Sequence, residues 1–375
     1  MDLQFSDEQE TLRETVRGLC GRYAGLAVVR AMEEDAVGYS ADFWAKLGEA
    51  GLIGLTIPEK WGGSEMTLLD AAVVYGELGR ALSPSPHFAS SVVAGGVLTA
   101  AGTDEQRQEW LPKIASGEAV VTTGWLEPDR GYGPKGIALA AARDGDGWTL
   151  TGTKRHVPYA NSADRILVLA RTGAGAEDVT LFLVDPAAAG VTLTAQRTIA
   201  SDVQHRVDLA GVRVGPDAVV GTVNGGWAPW ADTLRDGIVL LAAQAAGGAR
   251  RVLEITVDYA KTRKQFDKPL GAFQAIAHDL SDAVTAVDGA ETLAWEAAWA
   301  RDTGRPTAKL APMAKLFAAR TYREVSDLAV HVHGGMGFTV ECDVQLFFRR
   351  AKALQLSWWD DRYLEELIAA EILDA

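Results

Sequence analysis

Two segments in the C-terminal half carry side chains that suit an anionic ligand. In YAKTRKQFDKPLGAFQAIAHDLSD, from Tyr259 to Asp282, Arg263 and Phe266 follow a long helical pattern, and Gln274 opens a second helix after a Pro-Leu-Gly turn. In HVHGGMGF, from His331 to Phe338, a helix is broken by Gly334, Gly335 and Gly337, which leaves backbone open to close approach. A guanidinium can grip phosphate oxygens with two parallel hydrogen bonds, and a Gly-rich turn can offer backbone N–H groups to the same oxygens. With an aromatic face alongside, the set suits the pyrophosphate and adenine of a dinucleotide. Singly the residues say less. Arg263 would also complement a helix dipole, Phe266 would also serve a core, and a lone Gly-rich turn identifies nothing. The combination carries the reading.

The elements that position these residues follow from pattern. The first third is helical: Ser6 with Gln9 makes a capping box ahead of Leu12, Val16, Leu19 and Tyr23 on one face. Phe43, Trp44 and Leu47 open a helix, a further helix covers about Thr67 to Ala81, and Thr103 with Gln106 starts another that Leu111-Pro112 should end. From about Val120 the period changes. Asp144-Gly145-Asp146-Gly147 is a hairpin signal between IALAAAR and WTLTGTK. RILVLAR, VTLFLVD, VTLTAQ and VQHRVDLAGVRV are short and rich in β-formers. After Asn224-Gly225-Gly226-Trp227 the pattern is helical again over Leu234–Thr262, Gln274–Asp302, Thr307–Val332 and Arg362–Leu373, which predicts an antiparallel four-helix bundle. The expected class is α+β: an N-terminal helical domain (1–119), a middle β-barrel or sandwich domain (120–223) and a C-terminal four-helix bundle (224–375).

Composition narrows the functions. With 375 residues, 48% apolar and 23% charged, the chain can bury sizeable cores. A net charge of −14 argues against nucleic-acid binding, which needs basic surface. Cys20 and Cys342 are the only cysteines, so neither a disulfide framework nor a metal spacing is expected. The acidic start MDLQFSDEQE lacks the order of a signal peptide and no window reaches the length of a membrane span, so a cytoplasmic location is expected.

The segments quoted above, together with IPEKWGGSEMTLLDAAVVYGELGRAL (Ile57–Leu82), TLTGTKRHVPYANSADRILVLART (Thr149–Thr172) and NGGW (Asn224–Trp227), resemble the flavin-dependent acyl-CoA dehydrogenase family over nearly the whole chain. The resemblance implies helix, β, helix architecture, FAD as cofactor and an acyl-CoA thioester as substrate. It further implies assembly as a homo-tetramer, or as a hetero-tetramer with a related subunit, and an electron-transfer flavoprotein as acceptor. Arg263, Phe266, Gln274, His331 (where the family usually has Gln), Gly334 and Gly335 match positions that serve a neighbouring subunit's FAD. His333 reads as a packed or exposed residue rather than a ligand.

Other family positions are altered. The base that takes the α-proton is usually a Glu in a Tyr-Glu-Gly-Thr motif, where RRAKALQLSWWDDRYLEELIA places Trp358. The alternative base position, on the first C-terminal helix, is Gly237. Neither Trp nor Gly abstracts a proton. Asp360 is the best remaining carboxylate, and it is equally an N-cap for the segment that begins at Arg362. The flavin-ring pattern Thr-Glu-Pro with Gly-Ser-Asp reads LEPDRGYG here, with Leu126 for a hydroxyl and Tyr132 for a serine. Trp-Ile-Thr becomes His156-Val157-Pro158, and Pro158 has no N–H to offer. Glu127, Pro128 and Gly131 persist as structural residues. Groups that reach a neighbour's FAD are retained while those that seat the chain's own flavin are replaced. Three readings stay open: an acyl-CoA dehydrogenase, alone or as one subunit of a hetero-tetramer of the kind that degrades steroid side chains; a non-catalytic supporting subunit; and an enzyme of this fold with desulfinase or oxygenase chemistry.

Overall fold

The computed structural model describes residues 4–373, so Met1–Leu3 of the acidic start and the last two residues of the expected bundle lie outside the described residues. In chain order the helices before the sheet are α1 (Asp7–Tyr23), α2 (Leu26–Met32), α3 (Ala41–Glu49), α4 (Leu68–Ala81), α5 (Gly95–Ala101) and α6 (Asp104–Ser116). The strands are β1 (Val121–Gly124), β2 (Ala140–Asp144), β3 (Gly147–Pro158), β4 (Arg165–Arg171), β5 (Val179–Val184), β6 (Val191–Gln196), β7 (Gln204–Val214) and β8 (Val219–Val220). Then come α7 (Trp227–Thr262), the short strands β9 (Lys264–Gln265) and β10 (Lys268–Pro269), and α8 (Gln274–Asp302), α9 (Leu310–His333), α10 (Val344–Leu356) and α11 (Asp361–Leu373). This is the mixed helix and sheet class read from the sequence, a helical N-terminal segment, a middle sheet and a helical C-terminal segment. No described helix is long and apolar enough to cross a membrane.

By contacts the chain forms two compact units, each described by itself. One runs through Val29, takes Thr67–Ser83 and resumes from Ile238; the other comprises Arg30–Met66 and Pro84–Gly237.

The second unit is built on one eight-stranded mixed sheet in the order β6-β7-β3-β2-β4-β5-β8, with β1 parallel to β4. Every residue of β5 and all but the ends of β4 are buried, as their unbroken apolar runs require. Edge strand β6 is exposed at alternate positions. Leu150, Ile166, Val168, Phe182, Val184, Val207 and Val212 form the core beside Trp148, whose ring meets Phe182 edge-on at 5.6 Å. The β2–β3 hairpin closes in register Asp144 with Gly147, and Gly145 takes φ +66° in the turn.

The first unit joins α1 and α4 to the long C-terminal helices. Ser6 and Gln9 cap α1 reciprocally as expected, and Thr103 and Gln106 cap α6 in the same way in the other unit. Three expectations need correction. Helix α6 runs through Pro112 to Ser116, because burying Leu111, Ile114 and Ala115 outweighs the backbone bond that proline removes. Helix α7 starts at Trp227, with Pro229 tolerated in the first turn. Among the described residues five helices follow Asn224 rather than four. The extra one, α10, is short, and Asp343 at its N-cap position makes no capping hydrogen bond.

Helices α4 and α7 touch backbone to backbone. A Cβ on Gly247 would sit 1.9 Å from Gly76 O, and one on Gly79 would sit 2.0 Å from Gln244 O. No shift of a flexible side chain relieves such a clash. Gly247→Ala should therefore destabilise the fold by about 1–3 kcal/mol through overpacking, measured by chemical denaturation. An unchanged midpoint would show that the two helices separate freely.

Candidate functional site

The two anion-binding segments meet in the first unit. Tyr259, one turn from the end of α7, stacks on His333, the last residue of α9, with ring centroids 4.1 Å apart and planes 21° from parallel. Arg263 N–H donates to Tyr259 O at 2.8 Å, and Gly334 directly follows His333. The stack thus joins the end of the helix that carries Arg263 to the start of the Gly-rich turn. His333 is buried, its Nδ1 lies 2.8 Å from Ala329 O, and burial holds its imidazole below the ordinary value. It is a packed residue.

Beyond α7 the chain folds back through β9 and β10, which pair Gln265 with Lys268 across a two-residue turn. Both turn residues are left-handed, Phe266 at φ +53° and Asp267 at +61°. Type I′ hairpins favour Asn-Gly at these positions because a β-carbon is disfavoured there. The turn nonetheless displays the Phe266 ring at 86% exposure, with Phe273 edge-on at 6.2 Å. Arg263, Gln274 and His331 are exposed, and a Cβ built on Gly334 or Gly335 meets nothing within 4 Å. Gly334 takes φ +61° and ψ −142°, a conformation open essentially to glycine alone. An accessible guanidinium, a displayed ring and open backbone suit a pyrophosphate and adenine, so these residues fit that half of FAD.

The base positions hold no base. Trp358 and Trp359 take φ +53° and +73° in the loop between α10 and α11. Asp360 accepts Tyr363 N–H at 3.0 Å, the N-cap geometry for α11. The loop is held from beneath by Lys315 of α9, which is 0% exposed and donates to Leu354 O (2.9 Å), Ser357 O (3.0 Å) and Trp359 O (3.0 Å). Burial drives its ammonium down to about 7 against the pull of Asp361 and Asp360. Sequence reasoning missed Lys315. The available signal was a charge on the otherwise apolar face Ala311, Ala318, Tyr322. In the second unit Gly237 is buried, and a Cβ there would press on Phe88 Cζ at 3.2 Å.

The positions matching the flavin-ring seat also lie in the second unit. Glu127 is buried and structural: its carboxylate accepts from Lys154 Nζ (2.6 Å), Ala138 N (3.0 Å) and Leu139 N (2.9 Å). Lys154 is fully buried, and burial brings its ammonium down to about 8 despite Glu127. Tyr132 leans on Trp125 at 5.7 Å, and Trp125 on the fully buried Trp230 at 5.7 Å. His156 is left-handed at φ +53°, and its N–H already donates to Gln196 Oε1 at 2.7 Å. With that N–H engaged, Pro158 lacking one and Leu126 apolar, the segment does not fit a flavin ring that needs polar contacts.

Family models for the N-terminal, middle and C-terminal domains of acyl-CoA dehydrogenases match residues 6–118, 122–207 and 224–373. This chain belongs to the acyl-CoA dehydrogenase family. Its members are FAD-dependent oxidoreductases. The probable acyl-CoA dehydrogenase YngJ of Bacillus subtilis is 31% identical over the whole of both chains. Acyl-CoA dehydrogenase FadE27 of Mycobacterium tuberculosis is 33% identical over 85% of this chain and 84% of its own length. Among solved structures, a chain of the ChsE4-ChsE5 complex from Mycobacterium tuberculosis superposes with a TM-score of 0.90 at 28% identity, covering all of both chains.

Removing one partner of a buried ion pair strands the other charge. Glu127→Ala should cost about 3–5 kcal/mol in equilibrium unfolding; a loss below 1 kcal/mol would mean that Lys154 is solvated. Lys154 and Lys315 also set a pH dependence. Their folded pKa values, about 8 and about 7, lie below the ordinary 10.5 of lysine, so above about pH 7 the unfolded chain binds more protons than the folded one. Their contribution to stability therefore rises with pH from about 7 up to the ordinary lysine value of 10.5, and thermal unfolding should show Lys315→Met flattening part of that rise.

Proposed function

We propose that this chain is a supporting subunit of an FAD-dependent acyl-CoA dehydrogenase complex, in which it presents Arg263, Phe266, Gln274, His331, Gly334 and Gly335 to the FAD of a related partner chain. The observation that carries the reading is the Tyr259–His333 stack, which brings the segment before Arg263 against the segment before Gly334, while Phe266 is displayed on the surface. The absence of a base at Trp358 and Gly237 supports it, as does the poor fit of the ring-seat positions. The likeness to a chain of the ChsE4-ChsE5 complex favours a two-component assembly, most simply a hetero-tetramer.

On this reading the Arg263 guanidinium would hold the pyrophosphate, the Phe266 ring would serve the adenine, and the bare backbone at Gly334 and Gly335 would allow close approach, the Gly334 N–H itself donating to His331 O. Bound FAD supplies the hydride acceptor for α,β-desaturation of an acyl-CoA thioester. The partner supplies the carboxylate that removes the α-proton, and an electron-transfer flavoprotein takes the electrons onward. The replacement of both base positions, at Trp358 and Gly237, favours complexes with divided labour, such as those that act on steroid side chains.

A second reading makes this chain catalytic by itself with Asp360 as base, at the expense of the α11 cap. Asn caps as well as Asp does, so Asp360→Asn separates the two roles: it leaves stability intact and abolishes turnover only if Asp360 is the base. On the first reading the lone chain purifies with little flavin and desaturates straight-chain acyl-CoAs poorly, since general-base assistance is worth about 10²–10⁴-fold. Family-typical turnover by the lone chain would overturn that reading.

Arg263→Ala should weaken flavin binding by the mixed complex roughly ten- to a hundred-fold, for the loss of a charge-assisted hydrogen bond. Arg263→Lys should recover only part, because an ammonium lacks the planar fork. Bound flavin read by absorbance checks this, and unchanged affinity would leave Arg263 as a helix-end charge. A monomeric mass by light scattering at micromolar concentration would count against any shared site.

A further inference from the structure

The loop between α10 and α11 holds two consecutive residues, Trp358 and Trp359, at left-handed φ values of +53° and +73°. A β-carbon crowds the following carbonyl in that conformation, so single cases are uncommon and a pair in succession needs outside support. Part of the support is local. Asp360 caps α11 through Tyr363 N–H, and Asp361 Oδ2 accepts from Arg320 Nε (2.9 Å) and Gln355 Nε2 (2.8 Å). These bonds fix the entry to α11.

The Trp359 ring also meets Tyr363 edge-on at 5.5 Å, and further support comes from α9. Lys315 is wholly buried, and its ammonium is directed at the carbonyls of Leu354, Ser357 and Trp359. Three donors meet three acceptors, which satisfies the head group without a paired carboxylate on the same atoms. The acceptors lie on both sides of Trp358. A flip of the Ser357–Trp358 or the Trp359–Asp360 peptide would remove an acceptor from a buried charge, and a buried unpaired ammonium is strongly disfavoured. The cost of burying the lysine is thereby tied to one conformation of the loop. Trp359 is also buried, and its Nε1 has no hydrogen-bond partner among the described residues, so its indole polar group adds nothing that would hold the turn.

We propose that Lys315 is a positioning residue, whose contacts with the three carbonyls close Ser357–Asp360 into its left-handed turn and so fix an indole-bearing residue at the point in the chain where the family carries its carboxylate base. The functional meaning rests on the reading of that position given above; the turn itself is a property of this chain alone.

Hydrogen exchange on the purified full-length chain tests it. Lys315→Met should speed exchange at the Trp358–Tyr363 amides by about tenfold or more while α8 and the first turns of α9 keep their rates. Glycine adopts left-handed φ freely, so the same substitution made on top of Trp358→Gly should speed exchange by clearly less. Equal increases in both backgrounds, or an increase spread evenly over α9, α10 and α11, would show that Lys315 is a general core residue and overturn the proposal. Should Lys315→Met not fold, Lys315→Gln, which keeps two donors, carries the same comparison. Flavin retention by the mixed complex is a separate readout. A turn loosened in the lone chain supports the positioning role whatever the complex retains, and a turn unchanged by Lys315→Met overturns it even if the complex loses flavin.

Discussion

A buried ammonium must be surrounded by acceptors, and two lysines impose that constraint on the parts of this protein that correspond to its family's chemistry. Lys154 is fixed by the Glu127 carboxylate and Trp125 O in the sheet unit. Lys315 is fixed by three carbonyls in the helical unit. In each case one charge, denied water, orders a loop that has no regular hydrogen bonding of its own. Glu127 in turn holds Ala138 and Leu139, so the sequence between β1 and β2 is anchored at both ends by one carboxylate.

Strained backbone gathers at the same places. Phe266 and Asp267 form the turn after α7, Trp358 and Trp359 the turn before α11, and His156 and Tyr159 flank the bulged end of β3. Residues with a β-carbon remain left-handed only where their surroundings over-determine them, and such positions concentrate at functional sites. At Phe266 the result is a displayed ring. At Trp358 and Trp359 the result is a turn whose flanking carbonyls, Ser357 O and Trp359 O, meet Lys315.

A ring stack joins the segment that precedes Arg263 to the one that precedes Gly334. One stacked pair, Tyr259 on His333, ties the end of α7 to the end of α9. Burial keeps the imidazole below its ordinary value. Around it Arg263, Gln274 and His331 stay exposed. The packed residues make the platform and the exposed ones remain available to a ligand.

Much of this was legible in the sequence because it depends on bonds that close within a few residues. The capping boxes at Ser6 and Thr103, the turn at Gly145, the helix ends at Thr262 and His333 and the break at Gly334 are all local. The motif around Arg263 and the loss of both base residues were equally plain from residue types alone. Tertiary structure decided the rest. Pro112 is carried inside α6 by burial of its neighbours, and α10 forms without a side-chain capping bond. Phe266 is turned outward by a left-handed hairpin that its sequence disfavours, and Gly237 is hemmed in by Phe88. Local patterns could not choose between the two roles of Asp360; the bond to Tyr363 N–H places it as a cap. The three carbonyls that meet Lys315 lie 39 to 44 residues away along the chain. Long-range contacts of that kind depend on how helices pack, and no period or spacing along the chain encodes them.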